Sequence, residues 1–273
     1  RQVSRVCYGY GSPNWATPGY LCYFPRILAA AITLGVRFDP WVDFSHQFAD
    51  RYRNPNWRRP ECVLIWGQNP LPSNFIWFGH WIIDLMKMGT KIIVVDPRLT
   101  WIASKAEVWL QVRPGTDAAL ALGMLNVIVN EGLYDKEFVE QWTNAPFLVR
   151  NDTGRTLREG DLTGIGRNFV VWDSVANECR TYDISQFTYH KPDTKPALEG
   201  TYEVKLADGS TVQCKTVWQC LIDRLKEYPP ERVAEITWVS KEKIIKAARF
   251  FATNKPAAIW WGVALDQYWN SFQ

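Results

Sequence analysis

Three short polar segments, each directly behind an apolar run, hold residue types that could bind or transform a ligand. Gly67-Gln68-Asn69-Pro70 follows Val63-Leu64-Ile65-Trp66. A glycine there lets the backbone approach a ligand closely, and the amides behind it can face a phosphate. The same residues also describe an ordinary strand-to-helix turn, and the spacing is not the G-x-G-x-x-G dinucleotide fingerprint. Asp96-Pro97-Arg98 follows Lys91–Val95. An ionised carboxylate only accepts hydrogen bonds, so Asp96 could take the paired N1 and N2 donors of a guanine, or a ribose hydroxyl. It could equally form the turn before Pro97. Arg98 suits a phosphate or a neighbouring carboxylate. Asp117, closing Arg113-Pro114-Gly115-Thr116-Asp117, suits a ligand or the N-cap of the helix behind it. Two acids at the ends of adjacent strands say more together than either says alone.

The other candidate is a thiol. Cys22 lies in an aromatic, Gly/Pro-turned segment just ahead of a helix, where a thiolate would gain from the helix N-terminus and from Arg26. The alternatives are a nucleophile, a soft metal ligand or a small buried hydrophobe. Cys7, Cys62, Cys179, Cys214 and Cys220 sit among apolar or strand-like neighbours and read as core. None of the cysteines forms a C-x-x-C pair or sits at zinc-finger spacing from a histidine. His80, read as mid-helix, and His46, in a loop, read as structural.

The elements that must position these residues follow from periodicity. Val63–Trp66, Lys91–Val95, Val108–Val112 and Ala257–Trp261 are continuous apolar runs, as expected of strands buried on both faces. Helical patterns span about 25–34, 75–88, 118–131, 135–142, 217–226 and 240–253, with Gly35 and Gly89 as stops and Ser240 as an N-cap. The alternation predicts an α/β fold: a Rossmann-like parallel sheet with helices on both faces, which binds ligands at the carboxyl ends of its strands. Between 150 and 216 the texture changes to a β-rich excursion, with strands near Phe169–Asp173, Gly200–Val204 and Leu206–Val212 and a hairpin at Asp208-Gly209. The division by texture is therefore 1–60, then 61–149 with 217–273, and the insertion at 150–216.

Composition narrows the function classes. The chain has 273 residues, 47% of them hydrophobic and 22% charged, enough for a sizeable core and unlike a disordered chain. Its net charge is +3 with no Lys/Arg run, which argues against nucleic acid as partner. The longest apolar run, around Ile27–Leu34, is far short of the roughly 20 residues that a membrane span requires. Tryptophan occurs 15 times, several-fold above ordinary usage, as suits a chain that packs against something large. The sequence opens without an initiator Met, which reads as a fragment or processed chain, and neither end fixes a compartment.

Taken in order, Gly11-Ser12-Pro13-Asn14-Trp15, Leu21-Cys22, Trp66-Gly67-Gln68-Asn69-Pro70, Val94-Val95-Asp96-Pro97-Arg98 and Arg113-Pro114-Gly115-Thr116-Asp117 resemble the molybdopterin oxidoreductases, the dimethyl sulfoxide reductase family of molybdenum and tungsten enzymes. Asn130–Val139, Tyr228–Thr237 and Trp261-Gly262-Val263…Gln267 extend the resemblance. The Gly11–Cys22 segment and the sequence after it are similar to the branch containing acetylene hydratase or to the anaerobic dehydrogenases. The resemblance implies a catalytic subunit that binds molybdopterin guanine dinucleotide carrying molybdenum or tungsten. Gly67, Gln68 and Asn69 would line its phosphates, with Trp66 and Gly115 in the same cofactor-binding set. Asp96 and Asp117 would hold the guanine and ribose end near Arg98, and Gly262 and Gln267 would approach the same group. Cys22 would be both metal ligand and catalytic thiolate. An iron–sulfur cluster is expected in the family's N-terminal cysteine-rich region, outside these residues, with the remaining domains of the parent enzyme and an iron–sulfur electron-transfer subunit as partners. The stretch alone would be inactive. The other reading of the same fold is a cofactor-free electron-transfer scaffold.

Overall fold

The pull of four apolar runs toward the interior organises the first layer. The structure, a computed structural model, describes residues 2–12, 24–35, 58–74 and 79–267. Among them are ten strands: β1 Cys62–Trp66, β2 Lys91–Val95, β3 Val108–Leu110, β4 Leu148–Arg150, β5 Phe169–Asp173, β6 Glu178–Asp183, β7 Thr188–Tyr189, β8 Thr201–Lys205, β9 Thr211–Thr216 and β10 Ala257–Trp261. β10, β1, β2 and β3 pair in that order, all parallel. The register sets Trp66 between Trp261 and Val95, and Val95 beside Leu110, so the four carboxyl ends finish at one edge. Every residue of β1 is buried, and so is every residue of β2 after Lys91. Since successive side chains point to opposite faces, both faces are covered.

One face is filled by Val63, Ile65, Ile92 and Val94 against Ile82 and Leu85 of the helix His80–Lys87 and Ile102 and Ala103 of the helix Trp101–Lys105. The helix Lys241–Thr253 lies along β1 and β3 and buries Ile244, Ala247 and Ala248. The expected parallel α/β sheet is therefore present. Several boundaries differ from the sequence expectation. β3 stops at Leu110 because the chain turns there, the Val112 amide donating back to the Leu110 carbonyl at 3.0 Å. Of the expected 75–88 helix, residues 75–78 lie outside the described residues, Gly79 is helical and the α-helix runs His80–Lys87; a short helix also spans Pro70–Asn74. The helix expected from Ala118 starts at Asp117 and runs to Asn130. Thr116 takes the capping place, its carbonyl accepting the Leu120 amide at 3.2 Å, because the Asp117 carboxylate is engaged elsewhere.

The chain divides into two compact units, Arg1–Met124 with Pro230–Gln273, and Leu125–Pro229. The parallel sheet belongs to the first. The second contains the residues read as β-rich: antiparallel β4-β9-β8 and antiparallel β5-β6-β7. Their core is Leu148, Leu157, Val170, Val204, Leu206, Val212 and Cys214. The hairpin between β8 and β9 turns at Asp208-Gly209, where the Asp208 carboxylate accepts the Ser210 amide at 2.9 Å and its hydroxyl at 2.6 Å. β4, β6 and β7 carried no clear period in the sequence. The tryptophans divide between core, as with Trp66 and Trp218, and surface, as with Trp101, Trp142 and Trp238. No helix among the described residues is long and apolar enough to cross a membrane.

Because Ile65 is fully buried at the centre of the first layer, Ile65→Ala should cost about 2–5 kcal/mol. A chemical denaturation curve of the chain checks this. An unchanged midpoint would show that the sheet is not the stabilising layer.

Candidate functional site

Parallel pairing gathers the strand-end loops along one edge. Gly67 continues β1, donating to the Val95 carbonyl at 3.0 Å, and Gly262 continues β10, donating to the Trp66 carbonyl at 2.8 Å. Asp96 continues β2, its amide reaching the Leu110 carbonyl at 3.3 Å. Gly67 has φ +63°, a conformation that suits glycine. Gly262 is required by close approach: a Cβ there would overlap the Gly67 carbonyl oxygen and stand 2.5 Å from the Gln68 Cβ. The two glycines thus let the loops behind β1 and β10 lie backbone to backbone.

The two acids are held differently. Asp96 is buried to 4% exposure, and its Oδ1 accepts the Arg98 amide at 2.8 Å, a tight turn over Pro97. The Trp109 indole donates to the Asp96 carbonyl at 2.9 Å and fixes the backbone from β3. The Arg98 side chain is largely exposed, with Nε 3.6 Å from Asp96 Oδ1. Asp117 receives a hydrogen bond from Trp66 Nε1 at 2.7 Å. The last residue of β1 therefore reaches past the end of β2 to the first residue of the helix behind β3. The Arg113–Asp117 turn is pinned by the Thr116 hydroxyl, which donates to the Arg113 carbonyl at 2.7 Å. Gly115 lies within that turn. Gln68 and Asn69 are half-buried, and Gln267 is exposed. Among the described residues, the buried Oδ1 of Asn69 has no hydrogen-bond partner. A buried carbonyl oxygen left so is costly, and a donor-bearing ligand would satisfy it.

Sequence reasoning missed Asp266, placing it in a polar tail. It is buried, and it accepts the Arg26 amide at 3.0 Å with the Arg26 Nε 3.6 Å from its other oxygen. Arg26 lies in the first turn of the helix Phe24–Leu34, so a carboxylate carried behind β10 caps a helix near the other end of the chain. The signal available was the pattern already seen at Asp96, an acid shortly after an apolar run. Cys22 and His46 lie outside the described residues. Of the cysteines read as core, Cys62 and Cys214 are buried, Cys7 and Cys179 half-buried, and Cys220 is exposed. That last one corrects the expectation: Cys220 is on the helix Val217–Leu225, whose buried residues are Trp218 and Leu225. Burial pushes the Cys62 thiol up to about 12 and those of Cys179 and Cys214 up to about 11. No group of three His, Cys, Asp or Glu side chains among the described residues could hold a metal ion.

Residues 28–266 match the sequence profile described as molybdopterin oxidoreductase. The chain belongs to the molybdopterin oxidoreductase family. Relatives within and around that family include the perchlorate reductase alpha subunit of Dechloromonas aromatica (strain RCB), 31% identical across 90% of this chain and 31% of the relative. Acetylene hydratase of Syntrophotalea acetylenica is 31% identical across 96% of the chain and 24% of its own length. The solved structure of acetylene hydratase from Pelobacter acetylenicus superposes with a TM-score of 0.59 at 29% identity, covering 99% of this chain and 25% of that one. The chain thus spans between a quarter and a third of these molybdopterin-family relatives, and over that span the mixed α/β fold is the same.

Two outcomes follow. At pH 8 Cys62 and Cys214 should resist iodoacetamide until the chain unfolds, because they are buried and burial raises their pKa values, whereas Cys220, also raised by partial burial but exposed, should react in the folded state. Mass spectrometry of the alkylated peptides checks this; prompt labelling of Cys62 would contradict the burial described. Asp266→Ala should remove the cap on the helix Phe24–Leu34, costing about 1–3 kcal/mol. Amide exchange of that helix should accelerate, and unchanged protection would show that the clamp is not holding it.

Proposed function

We propose that this chain is the central cofactor-binding part of the catalytic subunit of a molybdenum- or tungsten-dependent oxidoreductase, holding one molybdopterin guanine dinucleotide and supplying the metal-ligand cysteine. The observation that carries this reading is the assembly of Gly67–Asn69, Asp96, Arg113–Asp117 and Gly262 on one carboxyl edge of a parallel sheet. The residues fit such a group: two carboxylates are suited to its ribose and guanine donors, and the unpartnered Asn69 oxygen to a donor-bearing part of it. When bound, the cofactor supplies oxygen-atom, hydride or electron transfer at its metal. Gln68 and Asn69 offer amide groups to its phosphate region, and the exposed Arg98 a guanidinium. Asp96 and Asp117 accept from the nucleoside end, and Gly115 and Gln267 border it. Cys22 gives a thiolate, a soft ligand suited to the metal.

The division into a metal-ligand segment at 1–60, a core at 61–149 and 217–273 and an insertion at 150–216 belongs to this reading. So do an iron–sulfur cluster outside these residues, further domains of the parent enzyme, and an iron–sulfur electron-transfer partner. That several relatives are named as alpha or A subunits supports the partner. Because one relative is an acetylene hydratase, the chemistry extends to hydration as well as redox transfer. The isolated chain is inactive on this reading, with part of the site contributed by other segments. The presence of Cys22, Asp96 and Asp117 favours a cofactor-holding subunit over a cofactor-free scaffold.

Elemental analysis of the full-length protein should find molybdenum or tungsten in stoichiometric amount. Cys22→Ala should remove one sulfur neighbour from the metal, as read by X-ray absorption, with the melting temperature unchanged. Absence of both metals after anaerobic purification would sink the reading in favour of the scaffold, and an unaltered sulfur shell in the variant would remove Cys22 from the metal.

A further inference from the structure

Trp66 is the last residue of β1 and is 7% exposed, clamped in register between Trp261 and Val95. A ring held in that way has one orientation, and an indole has one polar atom, a donor with no acceptor capacity. That donor meets Asp117 Oδ1 at 2.7 Å. Asp117, for its part, has left the common duty of an acid at a helix start. Thr116 occupies the capping place, and the turn ahead of it is closed by its own hydroxyl. The carboxylate is therefore held by a group from the first strand of the sheet and is not consumed by its own helix. One indole contact uses a single lone pair of a group with about four acceptor sites, so the carboxylate keeps acceptors for a ligand while its rotation is fixed.

We infer that Trp66 is a positioning residue that sets the plane of the Asp117 carboxylate for a guanine edge and so selects guanine over other bases. This rests on the reading of Asp117 as a nucleoside contact. A guanine presents two parallel donors, N1–H and the 2-amino group, to a carboxylate, and accepting both requires the carboxylate to lie in the plane of the base. A carboxylate free to rotate still accepts one donor from many bases. One locked by Trp66 accepts the pair, so the indole adds discrimination more than affinity. The role is distinct from direct contact: the indole N–H is already committed to Asp117.

The test uses the full-length protein prepared free of cofactor and titrated with GMP and with IMP, which differs only in lacking the 2-amino group. The wild type should prefer GMP by about tenfold, the scale of one well-placed hydrogen-bonded pair. Trp66→Phe should lose most of that preference, Asp117→Ala should lose all of it, and the double variant should be no worse than Asp117→Ala alone. Because Phe leaves space in the layer, a second substitution places benzothienylalanine at position 66, an isostere of tryptophan without the N–H. It should preserve the melting temperature and lose the GMP preference as Phe does. If the isostere keeps the preference while Asp117→Ala has lost it, Trp66 serves packing alone and the inference is overturned, with the Asp117 reading intact. If the preference survives Asp117→Ala, or the wild type shows none, the Asp117 reading fails and the inference falls with it.

Discussion

The pairing of β10 with β1 is the constraint on which the rest depends. The two strands come from distant parts of the chain, and a parallel ladder gives no help from a hairpin. What joins them is close backbone packing: Gly262 lies on Gly67 and Gln68 with no room for a single side-chain carbon. Once that contact forms, the β1 loop is set against the β10 loop, and Asp266 arrives where it can cap the helix holding Arg26. The carboxyl edge of the sheet and the helix that follows Cys22 in sequence are thus organised by one strand. Loop closure over such a separation is costly in entropy, and late formation of this pair during folding is the physical expectation.

Along the same edge, rigidity is graded. Asp96 is fixed by its own turn and by an indole from β3, and Asp117 by an indole from β1. Arg98 is held at its backbone by Asp96, while its side chain makes one long ion pair to the same carboxylate and extends into solvent. Directional acceptors are therefore built on locked supports, while the bulk positive charge is left free to adjust. That arrangement suits a ligand with one rigid, patterned end and one end of diffuse negative charge.

The elements that sequence made legible are the uninterrupted apolar runs. Val63–Trp66 and Lys91–Val95 read as strands because a sheet covered on both sides leaves such runs, and Ala257–Trp261 reads the same way although only Ala258 of it is buried; the loops behind all three could be placed at the carboxyl edge from that alone. β6 was not legible, since five of its six residues are half-buried and its three charges, Glu178, Arg180 and Asp183, follow no alternation with apolar residues. The candidate residues in the loops were named correctly as neighbours along an edge. Their supports were not: the Trp66–Asp117 bond and the Asp266–Arg26 clamp join residues far apart in sequence, where no local period reports them. Cys220 misled for a related reason, because a helix with one buried stripe can carry a cysteine on its other side.

β10 is also a boundary. Among the described residues it is the end strand of its sheet, with no strand paired on its outer side. Natural sheets guard such margins with charge, proline or a covering element. This one reads Ala-Ala-Ile-Trp-Trp, with proline only at its threshold and Ile259 turned partly to solvent. A segment packed along this strand would meet no charge for salt to screen, so its hold there would not weaken with ionic strength.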